Sequence, residues 1–170
     1  SVRLKNQSNI NLKRKTIYLC GAGGKGNIGA EAIMLSIIKI FQDRYENVRF
    51  IITSWYPDRI RELLTPLGGN FTVFSLERES ILANPVLIAK ADVFVICGDL
   101  SIIETVVSFL PMYYAIRTIA PRMLGKQVIF LGIEAEEVNK WMNIFALKCL
   151  IGWTTGYHML RNERSVGNLR

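Results

Sequence analysis

The stretch 16–39, TIYLCGAGGKGNIGAEAIMLSIIK, writes a short apolar strand, a glycine-rich turn and a helix of apolar period in immediate succession. Few folds accommodate that order. Glycines at 21, 23, 24, 26 and 29 let the backbone approach a ligand closely, and the helix from about Ile28 aims its free N–H groups and positive dipole end at the turn. The combination suits a phosphate or carboxylate, and equally the tight first turn of a doubly wound sheet whose glycines serve packing. Gly21-x-Gly23-x-x-Gly26 and Gly24-x-Gly26-x-x-Gly29 both satisfy the dinucleotide spacing, so the glycines alone do not choose a register. A dinucleotide site also wants an acid roughly 20 residues further on. The second apolar run instead ends in Thr53, Ser54 and Trp55, with no acid before Asp58, which argues against NAD. Lys25 is the cation within the turn best placed to meet a phosphate. It lacks the following Ser/Thr of a P-loop, which argues against nucleoside triphosphate hydrolysis.

Beyond this unit, short β-branched runs alternate with longer segments of helical period, the signature of a parallel sheet covered by helices. The pattern predicts strands at 16–20, 49–53, 71–74, 93–97, 127–131 and 153–155. It predicts helices at 28–45, 57–67, 79–90, 102–124 and 136–151. Pro57 suits a first helical turn, and Gly125 closes the long fourth helix. The runs DVFVIC and QVIFLG are apolar almost throughout, as central strands buried on both faces should be. The fold class is therefore α/β, a doubly wound, mainly parallel sheet of about six strands with helices on both faces. Three loops, 21–28, 98–101 and 132–136, converge at the carboxyl ends of the strands, where such sheets bind ligands. The domain reading is a polar tail at 1–14, a Rossmann-like domain at 15–156 and the start of an interdomain segment at 157–170. The charged segment after 156 reads as the beginning of an uncompleted helix, so a further C-terminal domain is expected.

Composition narrows the function classes. At 170 residues and 50% hydrophobic content the chain can bury a full core. Its formal net charge of +7 suits acidic partners. The basic residues, however, gather in an N-terminal tail (Arg3, Lys5, Lys13, Arg14, Lys15) and near the end (Arg161, Arg164, Arg170) without interleaved aromatics, so no nucleic-acid partner is expected. Cys20, Cys97 and Cys149 sit apart in apolar runs and read as buried thiols of a reducing compartment. The single histidine, His158, excludes a histidine-based metal site and leaves one candidate for imidazole acid/base work, against the alternative of a surface or interface residue. The apolar segments 102–123 and 138–153 are broken by Glu104, Arg117, Lys140 and Lys148, so neither reads as a membrane span. A cytoplasmic protein is expected, with a place near the inner face of the membrane left open. Tyr113 and Tyr114 share a helix with Phe109, Ile116 and Ile119 and read as core.

The stretch GKGNIGAEAIMLSIIK resembles the N-terminal glycine-rich motif of the polysaccharide pyruvyl transferase family, G-N-x-G-D-E-A followed by an apolar helix. Three further stretches fall in the family's order: DVFVICGDLS, MYYAIRTIAPRMLGKQVIFLGIE and WTTGYHMLRNERSVGNL, the last matching an arginine-acid-glutamate-Ser segment at Arg161, Glu163 and Ser165. The resemblance implies half of a glycosyltransferase B architecture. It implies transfer of pyruvyl from phosphoenolpyruvate to a sugar or polysaccharide acceptor as a ketal, in cell-surface polysaccharide biosynthesis. No cofactor and no metal is implied; phosphoenolpyruvate is the donor substrate.

On that reading the substrate-binding candidates are Gly23, Gly24, Lys25, Gly26, Asn27, Gly29, Glu31, Gly98, Ser101 and Arg161, and the catalytic candidates are His158 and Glu31. Asn27 and Glu31 are alternatively helix caps, and Arg161 with Glu163 is either an orienting ion pair or a solvated one. Three departures stand out. Ala30 replaces the family's aspartate, the Gly-Gly-Gly loop is reduced to Cys97-Gly98-Asp99, and Gly132-Ile133-Glu134-Ala135 follows the fifth strand. Acids at Asp99 and Glu134 facing the cleft would repel an anionic donor unless a cation neutralises them. Two other readings stand beside this one: a glycosyltransferase B half-domain for a sugar nucleotide, and a non-catalytic module for an anionic ligand. Apolar surface on the face that would meet a second domain predicts self-association of the chain.

Overall fold

The computed structural model describes residues 14–21, 27–75, 84–97, 101–102, 110–135, 139–153 and 159–160. Strands β1 (Lys15–Cys20), β2 (Val48–Ser54), β3 (Asn70–Ser75), β4 (Val93–Cys97) and β6 (Gln127–Ala135) form a parallel sheet in the order β3-β2-β1-β4-β6. Two two-residue strands, β5 (Ser101–Ile102) and β7 (Met159–Leu160), also pair with β6 in parallel. The helices are α1 (Ile28–Arg44), α2 (Pro57–Leu64), α3 (Pro85–Ala89), α4 (Leu110–Met123) and α5 (Trp141–Trp153). A doubly wound α/β sheet is thus what the chain forms, with seven strands among the described residues against the expected six or so.

Strand alternation divides the core in two. Ile17 and Leu19 of β1, Phe50 and Ile52 of β2 and Val95 of β4 face Met34, Ile37 and Ile38 of α1 and Ile60 and Leu64 of α2. Their neighbours Tyr18, Cys20, Ile51, Phe94 and Ile96 face the other way, onto Ile88 of α3, Tyr114 and Ala115 of α4, and Ala146, Leu147 and Leu150 of α5. Tyr18 and Phe94 stack across the β1–β4 pair with centroids 4.9 Å apart. The strands are apolar on both faces because both faces are covered.

Several boundaries differ from the sequence reading. Trp153, read as the start of a sixth strand, is the last residue of α5, and the strand that follows is Met159–Leu160. The helix expected from 102 begins at Leu110; Ile102 pairs with Ala135 of β6 instead. The second helix ends at Leu64 and tightens into a 3-10 turn at Thr65–Leu67, and the third begins at Pro85. The fifth starts at Trp141 rather than 136. Residues 79–83, 103–109, 136–138 and 154–155 of the predicted elements lie outside the described residues.

Candidate functional site

From β1 the chain runs outward through α1 to β2 and β3, then returns across the sheet to place β4 on the other side of β1. The carboxyl ends of β1 and β4 are therefore the topological switch point, the crevice where such sheets bind ligands. Gly21 ends β1 with φ 84°, a left-handed conformation that a side chain would disfavour. Gly23, Gly24, Lys25 and Gly26 of the turn, and Gly98 and Asp99 after β4, lie outside the described residues, as do His158, Arg161 and Glu163. Ser101 lies in β5, where its backbone pairs with Glu134.

The beginning of α1 is described in full. Asn27 is its N-cap: the side-chain Oδ1 accepts from the Ala30 N–H at 3.3 Å, and the Asn27 carbonyl accepts from the Glu31 N–H at 3.0 Å. Gly29 lies exposed in the first turn. Glu31, in the same turn, is only 5% exposed. Its carboxylate is met from α2 by Arg59, whose Nε donates to Oε1 at 3.3 Å and whose Nη2 donates to Oε2 at 3.2 Å. The hydrogen bond and charge of Glu31 hold the Arg59 guanidinium above its ordinary pKa, and Glu62, 3.7 Å away, adds to the effect. Arg59 is itself half exposed. Pro57 starts α2, and the Tyr56 N–H donates to Ser54 Oγ at 3.0 Å, fixing the turn out of β2. One ion pair thus ties the amino-terminal turns of two helices together at the carboxyl edge of the sheet, and it neutralises the acid nearest the glycine turn.

Removing either partner has unequal consequences. Arg59→Ala strands a buried carboxylate, whereas Glu31→Gln keeps the shape and leaves an arginine that water can solvate. Thermal melts are expected to show a larger drop in Tm for Arg59→Ala than for Glu31→Gln. Equal drops would mean that Glu31 is hydrated in solution.

On the opposite face of β1 lies a second polar group. Arg117 of α4 is 1% exposed; its Nε donates to Cys20 Sγ at 3.1 Å, and its guanidinium carbon lies 5.4 Å from the Tyr113 ring centroid. Burial raises the Tyr114 phenol well above its ordinary pKa, with Cys20 and Tyr113 adding and Arg117 opposing. Burial likewise pushes the Cys97 thiol up, so it stays neutral. Thr53, paired with Cys20 across β1 and β2, is fully buried, and its Oγ1 has no hydrogen-bond partner among the described residues. Just beyond it, Trp55 and Tyr56 present exposed rings at the same edge.

The structure brings Asn27, Gly29 and Glu31 together. Arg59, Arg117, Thr53 and the ring pair 55–56 are additions to the site residues expected from the sequence. Arg117 was visible as one charge in an apolar helix, four residues after Tyr113 and three after Tyr114. Arg59 carried no local signal, since its partner lies 28 residues away. Among the described residues no cluster of His, Cys, Asp and Glu could hold a metal ion, and no helix is long and apolar enough to cross a membrane.

A family model, polysaccharide pyruvyl transferase, matches residues 27–167, from the Asn27 cap through both helix faces to beyond Arg161, Glu163 and Ser165. The chain belongs to that family. No curated protein and no solved structure matches it. Within the family's glycine-rich motif, this pyruvyl transferase relative keeps Asn27, Gly29, Glu31 and Ala32 and carries Ala30, 1% exposed, at the aspartate position. Glu31, the retained acid, is the one that Arg59 engages.

Proposed function

We propose that the chain forms one wall of a pyruvyl transferase cleft in cell-surface polysaccharide biosynthesis, binding phosphoenolpyruvate at the switch point beside the start of α1. The observation that carries the reading is the family match over residues 27–167, which takes in the motif on α1 and the carboxyl ends of β4 and β6. Neutralisation of Glu31 by Arg59 supports it, because an unpaired carboxylate there would oppose an anionic donor. The exposed rings of Trp55 and Tyr56 suit the apolar face of an acceptor sugar.

In the reaction two hydroxyls of the acceptor add to C2 of the enolpyruvyl group. The bond from C2 to the phosphate ester oxygen breaks, C3 gains one of the two hydroxyl protons to become a methyl group, and inorganic phosphate leaves with the other. Backbone N–H groups of the glycine turn, with Lys25, would hold the phosphate, and Gly98, Ser101 and Arg161 would complete the pocket. The acid/base is assigned to a second domain of a glycosyltransferase B architecture, with His158 and Glu31 as the candidates within this chain. The setting proposed is the cytoplasm.

The test is calorimetric titration of the native gene product with phosphoenolpyruvate, followed by phosphate release with a panel of sugar acceptors. Binding together with release that needs both substrates is the expected result. Binding of nucleoside diphosphates without phosphoenolpyruvate would favour a sugar-nucleotide enzyme, and phosphoenolpyruvate binding without turnover would favour a non-catalytic module.

A further inference from the structure

Where β2 ends, the chain turns through Trp55 and Tyr56 into α2 and presents both rings at the ligand-binding edge of the sheet, Trp55 at 56% exposure and Tyr56 at 40%. This turn is firmly built. The buried Ser54 holds the Tyr56 N–H through its hydroxyl, the Tyr56 carbonyl accepts from the Ile60 N–H at 3.1 Å, and Pro57 pre-sets the first helical residue. Among the described residues neither ring stacks on another aromatic or on a cation. One exposed ring is ordinary on a soluble surface, but two in succession, fixed at the edge where such sheets bind ligands, form a recognition surface. Groups able to pair with hydroxyls stand beside them. Arg59, three residues after Tyr56, is half exposed, with one edge of its guanidinium on Glu31 and with Glu62 3.7 Å away on the next turn.

We infer that this corner is the acceptor subsite and that it takes a neutral pyranose. A sugar ring has an apolar face of C–H groups, which lies on an aromatic ring, and a hydroxyl edge, which pairs with guanidinium donors and carboxylate acceptors. Charge selects among sugars. Among the described residues the corner carries Glu31, Asp58 and Glu62 against Arg59 and Arg61, so one acid is in excess. Both cations are already paired, Arg59 with Glu31 and Arg61 with Asp58, and Asp58 also answers the positive end of the α2 dipole. Ser54 pairs with Ser75 at the end of β3, and the chain continues from there into Glu77, Arg78 and Glu79, again with one acid in excess. Lys25 and Arg161, the cations of the proposed donor pocket, are taken by the phosphate. A uronate, a sugar phosphate or a sugar nucleotide would bring negative charge to an acidic rim, and a neutral pyranose brings none. The inference rests on the pyruvyl transfer reading for the role of the sugar as acceptor; that the corner binds a sugar stands on its rings and charges.

Saturation-transfer NMR of the native gene product without phosphoenolpyruvate is the experiment. The neutral probes are the methyl pyranosides of glucose, galactose, mannose and N-acetylglucosamine, and the anionic ones are glucuronate and UDP-glucose. Saturation of the C–H protons on one face of at least one neutral probe is expected, and Trp55→Ala should weaken its Kd about tenfold. Tyr56→Ala should also weaken it, whereas Tyr56→Phe, which keeps the ring, should bind as the parent does. Both positions are exposed, so melting curves should stay close to the parent's. Absence of binding by every neutral probe overturns the proposal, as does a Kd that neither alanine variant changes. Tighter, ring-dependent binding of glucuronate or UDP-glucose than of any neutral probe overturns the neutral acceptor. The two readings fail separately. Ring-dependent sugar binding by a protein that calorimetry shows not to bind phosphoenolpyruvate would leave the sugar site standing and remove pyruvyl transfer, and phosphoenolpyruvate binding without ring-dependent sugar binding would do the reverse.

Discussion

Replacing Arg117 with alanine is expected to destabilise the fold by about 3–5 kcal/mol, the range for emptying a large buried side chain. Arg117 is the largest of the fully buried side chains, and it fills the space between β1 and α4 from Cys20 to the Tyr113 ring. The loss combines cavity formation with the removal of a donor from the Cys20 sulfur and of a cation from the ring face. Arg117→Met separates these contributions. A thioether chain of similar length restores most of the packing without the cost of burying charge, so it should cost no more than about 1.5 kcal/mol. Urea titrations of both variants decide the matter. If methionine costs as much as alanine, the guanidinium's polar contacts hold this region rather than its bulk. If the methionine variant folds well and loses phosphoenolpyruvate binding, the buried charge acts on the site across β1.

The parallel sheet was legible because its strands are buried on both sides, which leaves runs such as FIIT, DVFVIC and QVIFL with no polar interruption. Four of the predicted strands fall within one residue of the observed ends. The fifth was cut short at 131 because Gly132 and Glu134 break the apolar run. The backbone nevertheless continues to Ala135, since β5 and β7 both pair there. That extension is tertiary and has no local signal. Trp153 was misread for a related reason: aromatic and β-branched residues at 153–155 have strand propensity, but the first of them completes the last turn of α5. Ile102 erred in the other direction, an apolar residue at the head of a long apolar segment that is taken by a strand pair before the helix begins.

The candidate site divides along the same line. Asn27 and Glu31 were readable because capping and first-turn acids are local chemistry, complete within four residues. The ion pair that Glu31 makes was not, because only the β1-α1-β2 crossover brings α2 beside α1. Arg117 shows how a mixed signal is lost. Its charge speaks against a membrane span and its neighbours for a core, and of those neighbours Tyr114 is buried in the core and Tyr113 packs against it. Their conjunction, a charge inside the core beneath the switch point, follows only once the helix is placed on the sheet.

Ala30→Asp, which reinstates the acid of the family's G-D-E-A motif, is expected to destabilise this chain by about 2–4 kcal/mol at neutral pH rather than improve it. The Ala30 methyl is 1% exposed, its N–H is already taken by the Asn27 cap, and the adjacent Glu31 has its own cation in Arg59. A new carboxylate would have to be desolvated beside an existing one. Its gain from the helix dipole, at most about 1 kcal/mol at an ordinary site, does not offset that cost. Desolvation and the neighbouring carboxylate raise the folded-state pKa of the introduced acid above its unfolded value. The penalty is therefore fully present above the folded-state pKa and fades as pH falls toward the unfolded one. Ala30→Asn carries the same volume without the charge and should cost less, by an amount that shrinks on acidification. Chemical denaturation of both variants across the carboxylate range measures this directly. Equal stability of the aspartate and asparagine variants at every pH would mean that position 30 opens toward the cleft in solution, and the family's acid would then have room to act there.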